Sequence, residues 1–143
     1  MATVASRRDV RFAADIAADL TDMAVARDAL ADALHDCAWN EEDAFRVLIC
    51  ADEAMANAVS HGSTPTDTIG VRFRVGPAAA SVVIEDQCAG VAHIPSPTVP
   101  ADTSEHGRGL MLMQVLADAF RIQRRPAGTR VALAFRATEG CAQ

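Results

Sequence analysis

The sequence predicts an α+β sandwich, a largely antiparallel sheet with helices packed on one face. Three observations carry this. A length of 143 residues suits one domain spanning 1–143 with one core. Apolar spacing is helical through the first half, then alternates with period two, and later shows each pattern once more. The strand-like runs are neighbours separated by short turn signals, which favours antiparallel pairing. A composition that is 50% hydrophobic and 22% charged excludes wholesale disorder.

Residues 8–14 alternate Val10 and Phe12 with charges and read as a short strand. Residues 20–39 read as a helix, with Leu20, Met23, Leu30, Leu34 and Cys37 along one stripe. Asn40 caps a second helix whose first turn holds Glu41, Glu42 and Asp43, where the helix dipole favours acid. Its stripe runs through Ala44, Leu48, Ala51, Met55 and Val59, and Gly62 with Pro65 beyond it marks the stop. Residues 67–75 alternate Ile69, Val71, Phe73 and Val75 with Gly70, Arg72 and Arg74, the pattern of a half-buried strand. Gly76-Pro77 is a turn, and residues 81–86 form the next strand. Residues 88–106 hold three prolines and read as a long loop of the kind that serves as a lid. Helical spacing returns over 107–117, and 119–124 with 129–136 form a hairpin around Pro126-Ala127-Gly128.

Composition narrows the chemistry. All 13 basic residues are Arg; there is no Lys and no Tyr. A G-x-x-x-x-G-K-[ST] phosphate loop, a V-A-I-K protein kinase and a Schiff-base enzyme all need a lysine and are excluded. A net charge of −6 disfavours a direct nucleic-acid partner. No apolar run is long enough to cross a membrane, and the N-terminus lacks a signal-peptide stretch, so a cytoplasmic protein with no membrane partner is expected. Cys37, Cys50, Cys88 and Cys141 form no C-x-x-C and read as free thiols rather than zinc ligands.

Three places could carry chemistry. Glu53 and Asn57, four residues apart, share a helix face beside the apolar stripe. A carboxylate offers a base and an amide oxygen suits a hard cation, although the pair also reads as an ordinary polar helix edge. The strand 81–86 ends in Ile84-Glu85-Asp86, followed by Gly90; the acid can accept from an exocyclic amine, or simply end a strand. Gly107-Arg108-Gly109-Leu110 opens a helix, where unpaired N–H groups attract phosphate. Alone, that segment also reads as a lid hinge.

The order of the three is more specific than any one. Glu53 to Gly62, Asp86 to Gly90, Gly107 to Leu110 and Gly128-Thr129 resemble the N box, the two glycine boxes and the adenine-pocket motif of the GHKL, or Bergerat, ATP-binding fold. The resemblance covers nearly the whole chain. It implies a two-layer sandwich in which three helices pack on one face of a mixed, mostly antiparallel sheet. The short length and leading strand resemble the anti-sigma-factor serine kinases of bacteria, the RsbW type. Such proteins bind a sigma factor and phosphorylate a serine on an anti-anti-sigma (STAS-type) protein, and relatives often form homodimers. The resemblance implies ATP and Mg²⁺ as cofactors. Glu53 would be the catalytic base and Asn57 the Mg²⁺ ligand. Asp86 would hold the adenine amine with support from Thr129, and Gly90 would floor the adenine pocket. The backbone N–H groups of Gly107, Arg108, Gly109 and Leu110 would receive phosphate, with Arg108 also reaching the terminal phosphate as a catalytic residue.

One position departs from the motif. Cys88 stands where the first glycine box has Gly, and a Cβ there costs on the order of 1 kcal/mol if the backbone needs a positive φ. That substitution, with the Pro-rich loop, motivates a second reading: a non-catalytic anti-sigma adaptor, nucleotide-gated or nucleotide-free. His61 reads as a packing or capping residue, His93 and His106 as solvated loop residues, and Trp39 as the closure of a hydrophobic corner. Arg72 and Arg74, and Arg124 and Arg125, read as a solvated sheet face or as a docking surface for an acidic partner.

Overall fold

The computed structural model describes residues 9–62, 68–86, 105–126 and 128–138. Eight elements follow one another: β1 (Val10–Ala17), α1 (Leu20–Asp36), α2 (Glu41–Gly62), β2 (Thr68–Val75), β3 (Ala79–Glu85), α3 (Glu105–Leu116), β4 (Ala119–Arg125) and β5 (Gly128–Arg136). The strands form one sheet in the order β1-β2-β3-β5-β4. All four pairings are antiparallel, the narrower form of the mostly antiparallel sheet expected. The helices cover one face, with α2 central, against α1, α3 and the strands β2, β3 and β5.

The alternation read in β2 is what the sheet uses. Ile69, Val71, Phe73 and Val75 are buried while Arg72 and Arg74 are exposed. Val82 and Ile84 of β3 and Val131, Leu133 and Phe135 of β5 continue the inner face. Opposite them, α1 supplies Leu30 and Leu34 and α2 supplies Val47, Ala51 and Met55. Each large apolar side chain in this core is worth roughly 1.5–3 kcal/mol relative to exposure. Among the described residues, no helix is long and apolar enough to cross a membrane.

Several boundaries differ from the sequence reading. β1 runs to Ala17, because its inner face continues past Phe12 through Ala14 to the buried Ile16. Alanines carry little strand propensity of their own, and full register with β2, from Val10↔Val75 to Ala17↔Thr68, imposes the strand. α1 ends at Asp36 rather than 39: Cys37 caps it and Ala38 turns to φ 61°. The chain then places Trp39 so that its Nε1–H donates to the Gly76 carbonyl at 2.7 Å, the closed corner expected of it. β3 begins at Ala79, two residues before the expected start, because Gly76 N–H closes the turn on the Ala79 carbonyl at 2.9 Å. α3 begins at Glu105, so His106 belongs to a helix rather than to the loop. The rest of the loop, with Cys88, Gly90 and His93, lies outside the described residues, as does Cys141.

The helix caps follow the sequence chemistry. Asn40 Oδ1 accepts from the Asp43 N–H at 2.7 Å, as expected for a cap of α2. At α1, Asp19 accepts from the Asp22 N–H at 2.8 Å, and the Asp22 carboxylate reaches back to the Ala17 N–H at 3.0 Å. This reciprocal pair fixes the β1–α1 corner. Cys37 and Cys50 are buried and form no disulfide with each other.

Candidate functional site

The second helix positions the first pair. Burial of Ala51, Ala54, Met55 and Ala58 fixes the rotation of α2, and this leaves Glu53 and Asn57 half-buried at the edge of the packed stripe. α3 lies against that edge. A Cβ on Gly109 would sit 2.5 Å from Glu53 Oε2 and 3.7 Å from Asn57 Nδ2. Glycine is therefore what admits the carboxylate: the second turn of α3, the Glu53 oxygen and the Asn57 amide meet in one place. Leu110, next along, is buried and anchors α3 to the core.

Asp86 and Thr129 form the second cluster. β3 and β5 are neighbours, so residues far apart in sequence meet at the strand ends. Asp86 N–H donates to the Thr129 carbonyl at 3.0 Å, and Thr129 N–H donates to Asp86 Oδ1 at 2.9 Å. Asp86 is 7% exposed, one of few buried acids among the described residues. Gly128, at φ +148°, makes the junction possible: a Cβ there would overlap the Asp86 carbonyl and lie 2.9 Å from its Oδ1. Only glycine occupies that backbone region freely.

Both clusters lie toward one end of the sandwich. The start of α2 is tied to the opposite end, where Thr138 N–H donates to Asp43 Oδ2 at 2.8 Å just past β5. There Ala137 N–H bonds the Ala78 carbonyl at 2.9 Å. At 1.5 Å per residue, Asn57 lies about 20 Å along α2 from Asp43. At 3.3 Å per residue, Asp86 lies about 26 Å along the sheet from Ala78.

Burial pushes the Cys50 thiol up to about 11, with Arg46 opposing and Glu53 reinforcing the shift, so it is an inert thiol at neutral pH. Glu85, beside Asp86, pairs with Arg125 at 2.9 Å and lies 3.6 Å from Arg130 Nε, which holds its charge on the sheet side. The structure thus brings Glu53, Asn57 and Gly109 together, and Asp86 with Thr129. Gly107 and Arg108 occupy the first turn of α3, just before Gly109; the Arg108, His106 and His61 side chains and Gly90 lie outside the described residues.

Arg46 is a positioning residue that the sequence reading did not single out. It donates to the Leu116 carbonyl at 2.7 Å and the Arg136 carbonyl at 3.1 Å while pairing with Asp43 at 3.2 Å, so it ties α2 to α3 and β5. Its i,i+3 spacing from Asp43 was the available signal.

Comparison with known proteins agrees with the fold. The family described as the histidine kinase-like ATPase domain matches residues 16–135. The chain is 29% identical over 94 residues to the serine/threonine-protein kinase BtrW of Bordetella bronchiseptica, an alignment covering 61% of this chain and 66% of that protein. Its fold is similar to that in the crystal structure of the RsbU and RsbW domains of Rv1364c from Mycobacterium tuberculosis, at a TM-score of 0.65 and 18% identity. That likeness covers 90% of this chain and 32% of the other.

Proposed function

Because the chain belongs to the histidine kinase-like ATPase domain family, we propose that it is a cytoplasmic, ATP-dependent serine kinase of the anti-sigma type. In this reading it phosphorylates a STAS-type anti-anti-sigma protein and sequesters a sigma factor. One observation carries the proposal: Gly109, in the second turn of α3, lets the helix close onto Glu53 and Asn57, so the proposed base and the proposed Mg²⁺ ligand meet just behind its first turn. The residues fit MgATP. A carboxylate and an amide lie side by side against Gly109, and the buried Asp86 is an acceptor suited to an exocyclic amine.

Asn57 would hold Mg²⁺, which prefers to keep waters and phosphate oxygens as its other ligands. Asp86, braced by Thr129, would hold the adenine amine, with Gly90 as the floor. The N–H groups of Gly107 and Arg108, among the first four of α3, would receive phosphate oxygens, with the Arg108 guanidinium adding charge; because the helix begins at Glu105 and not at Gly107, those of Gly109 and Leu110 lie past its open first turn. Bound MgATP would supply the transferable phosphoryl group and neutralise its oxygens. Glu53 would orient the partner serine and accept its hydroxyl proton at a carboxylate oxygen. Placement and charge stabilisation supply most of such a rate, because phosphoryl transfer asks little covalent work of the protein.

The test is incubation with labelled ATP, Mg²⁺ and a candidate STAS-type protein, beside calorimetry with ATP and ADP. Transfer to a partner serine is expected. Glu53→Ala should abolish transfer and leave nucleotide affinity largely intact. Asp86→Asn should weaken nucleotide binding by roughly 1.5–3 kcal/mol, the worth of a hydrogen bond to a charged group. Nucleotide binding without transfer to any partner would favour the adaptor reading. Wild-type behaviour of both variants would overturn the site assignment.

A further inference from the structure

The sheet face turned away from the helices carries charge of the opposite sign to the chain as a whole, which is −6. Its outward positions include Arg11 on β1, Arg72 and Arg74 on β2, Arg121 and Arg125 on β4, and Arg130 on β5. The register sets Arg11 directly opposite Arg74. Like charges so placed oppose pairing, and only Asp9, bonded to Arg74, offsets them. Among the described residues, Arg11, Arg72 and Arg121 bond no carboxylate. The acids on this face, Asp9, Asp15 and Glu85, are fewer than its arginines, so it keeps a net positive charge.

The same register builds a trough. Arg72, Val83, Ala132 and Arg121 lie in one row across four strands. Ser81 and Ala134, paired with each other, continue the floor beside Val83 and Ala132. Three inter-strand steps separate the two arginines by about 14 Å. That width admits an α-helix, about 10–12 Å across with its side chains. Two open grooves, of about 710 Å³ and 530 Å³, meet on this face at Arg74 and Ser81, and the smaller one reaches Arg72 and Val83.

We infer that this face docks an acidic amphipathic helix of a protein partner. Its small apolar stripe rests on Val83 and Ala132, and carboxylates on its flanks reach Arg72 on one side and Arg121 on the other. Guanidinium forks pair carboxylates bidentately, which fixes the register of such a helix. A second copy of the chain is a poor occupant, since a two-fold contact would set this arginine face against itself. Duplex DNA is opposed by the net charge of the whole chain. The inference is independent of the nucleotide site and uses no nucleotide in its test.

The experiment titrates the isotope-labelled full chain with two synthetic helical peptides of about 20 residues. They share an Ala/Leu stripe and carry flanking Glu in one and Lys in the other. The Glu peptide is expected to shift the amides of Ser81, Val83 and Ala132, while the Lys peptide leaves them in place. Affinity for the Glu peptide should fall at least about tenfold in Arg72→Glu/Arg121→Glu and stay within a few-fold in Arg72→Lys/Arg121→Lys. Both arginines are exposed, and the wild-type comparison of the two peptides stands even if the Glu variant does not fold. Shifts on the helical face, none at millimolar Glu peptide, tighter binding of a DNA duplex, or self-association abolished by Arg72→Glu would each overturn the inference.

Discussion

Gly109 is the position where one missing methyl group decides what the site can do. The nearest atom to its absent Cβ is Glu53 Oε2, the far end of a flexible side chain rather than backbone. Alanine can therefore be accommodated by moving the carboxylate, and an interior helix position gains up to about 1 kcal/mol from the exchange of Gly for Ala. Stability and activity should separate. Gly109→Ala is expected to melt at or above the wild-type temperature while losing phosphoryl transfer by about 100-fold, the scale of a 1 Å misplacement of a catalytic group. Thermal melts beside a transfer assay check this, and unchanged transfer would show that the Glu53 position does not matter.

At the scale of elements, periodicity made most of the fold legible, since α2 and β2 bury the faces their spacing marks and β4 pairs with β5 as the expected hairpin. What it could not show was where α1 ends. Ala38 takes the left-handed conformation with φ 61°, a place that glycine usually fills, so the sequence carries no stop signal there. Burial of Cys37 and the Trp39 bond to Gly76 outweigh that strain. Ala38→Gly should accordingly raise unfolding free energy by about 0.5–1 kcal/mol, the left-handed penalty less the entropy of an added glycine. A higher denaturant midpoint at an unchanged slope would confirm it.

Over the whole molecule, the site was legible as residue types in order but not as a place. Asp86 meets Thr129 only because β5 inserts between β3 and β4, and no local pattern encodes that pairing. The far end of the sandwich depends on a similar long-range junction. Asp43 is 2% exposed and accepts from the Thr138 N–H at 2.8 Å and hydroxyl at 2.6 Å, with Arg46 alongside. Burial opposes its ionisation, but the Thr138 hydrogen bonds and the Arg46 charge outweigh burial and hold its pKa below the ordinary carboxylate value. A lowered folded pKa contributes stability that is complete above the unfolded pKa, near 3.9, and is lost as pH falls through the folded value. Asp43→Asn should therefore cost about 1.5–3 kcal/mol at neutral pH, where charged hydrogen bonds are lost. The gap between variant and wild type should hold constant down to about pH 5 and narrow below about pH 4, because only the wild type then loses its carboxylate. Urea midpoints at pH 7, 5 and 3 measure this; a gap that persists undiminished at the lowest pH would mean that the neutral contacts of Asp43, not its charge, hold β5 to α2.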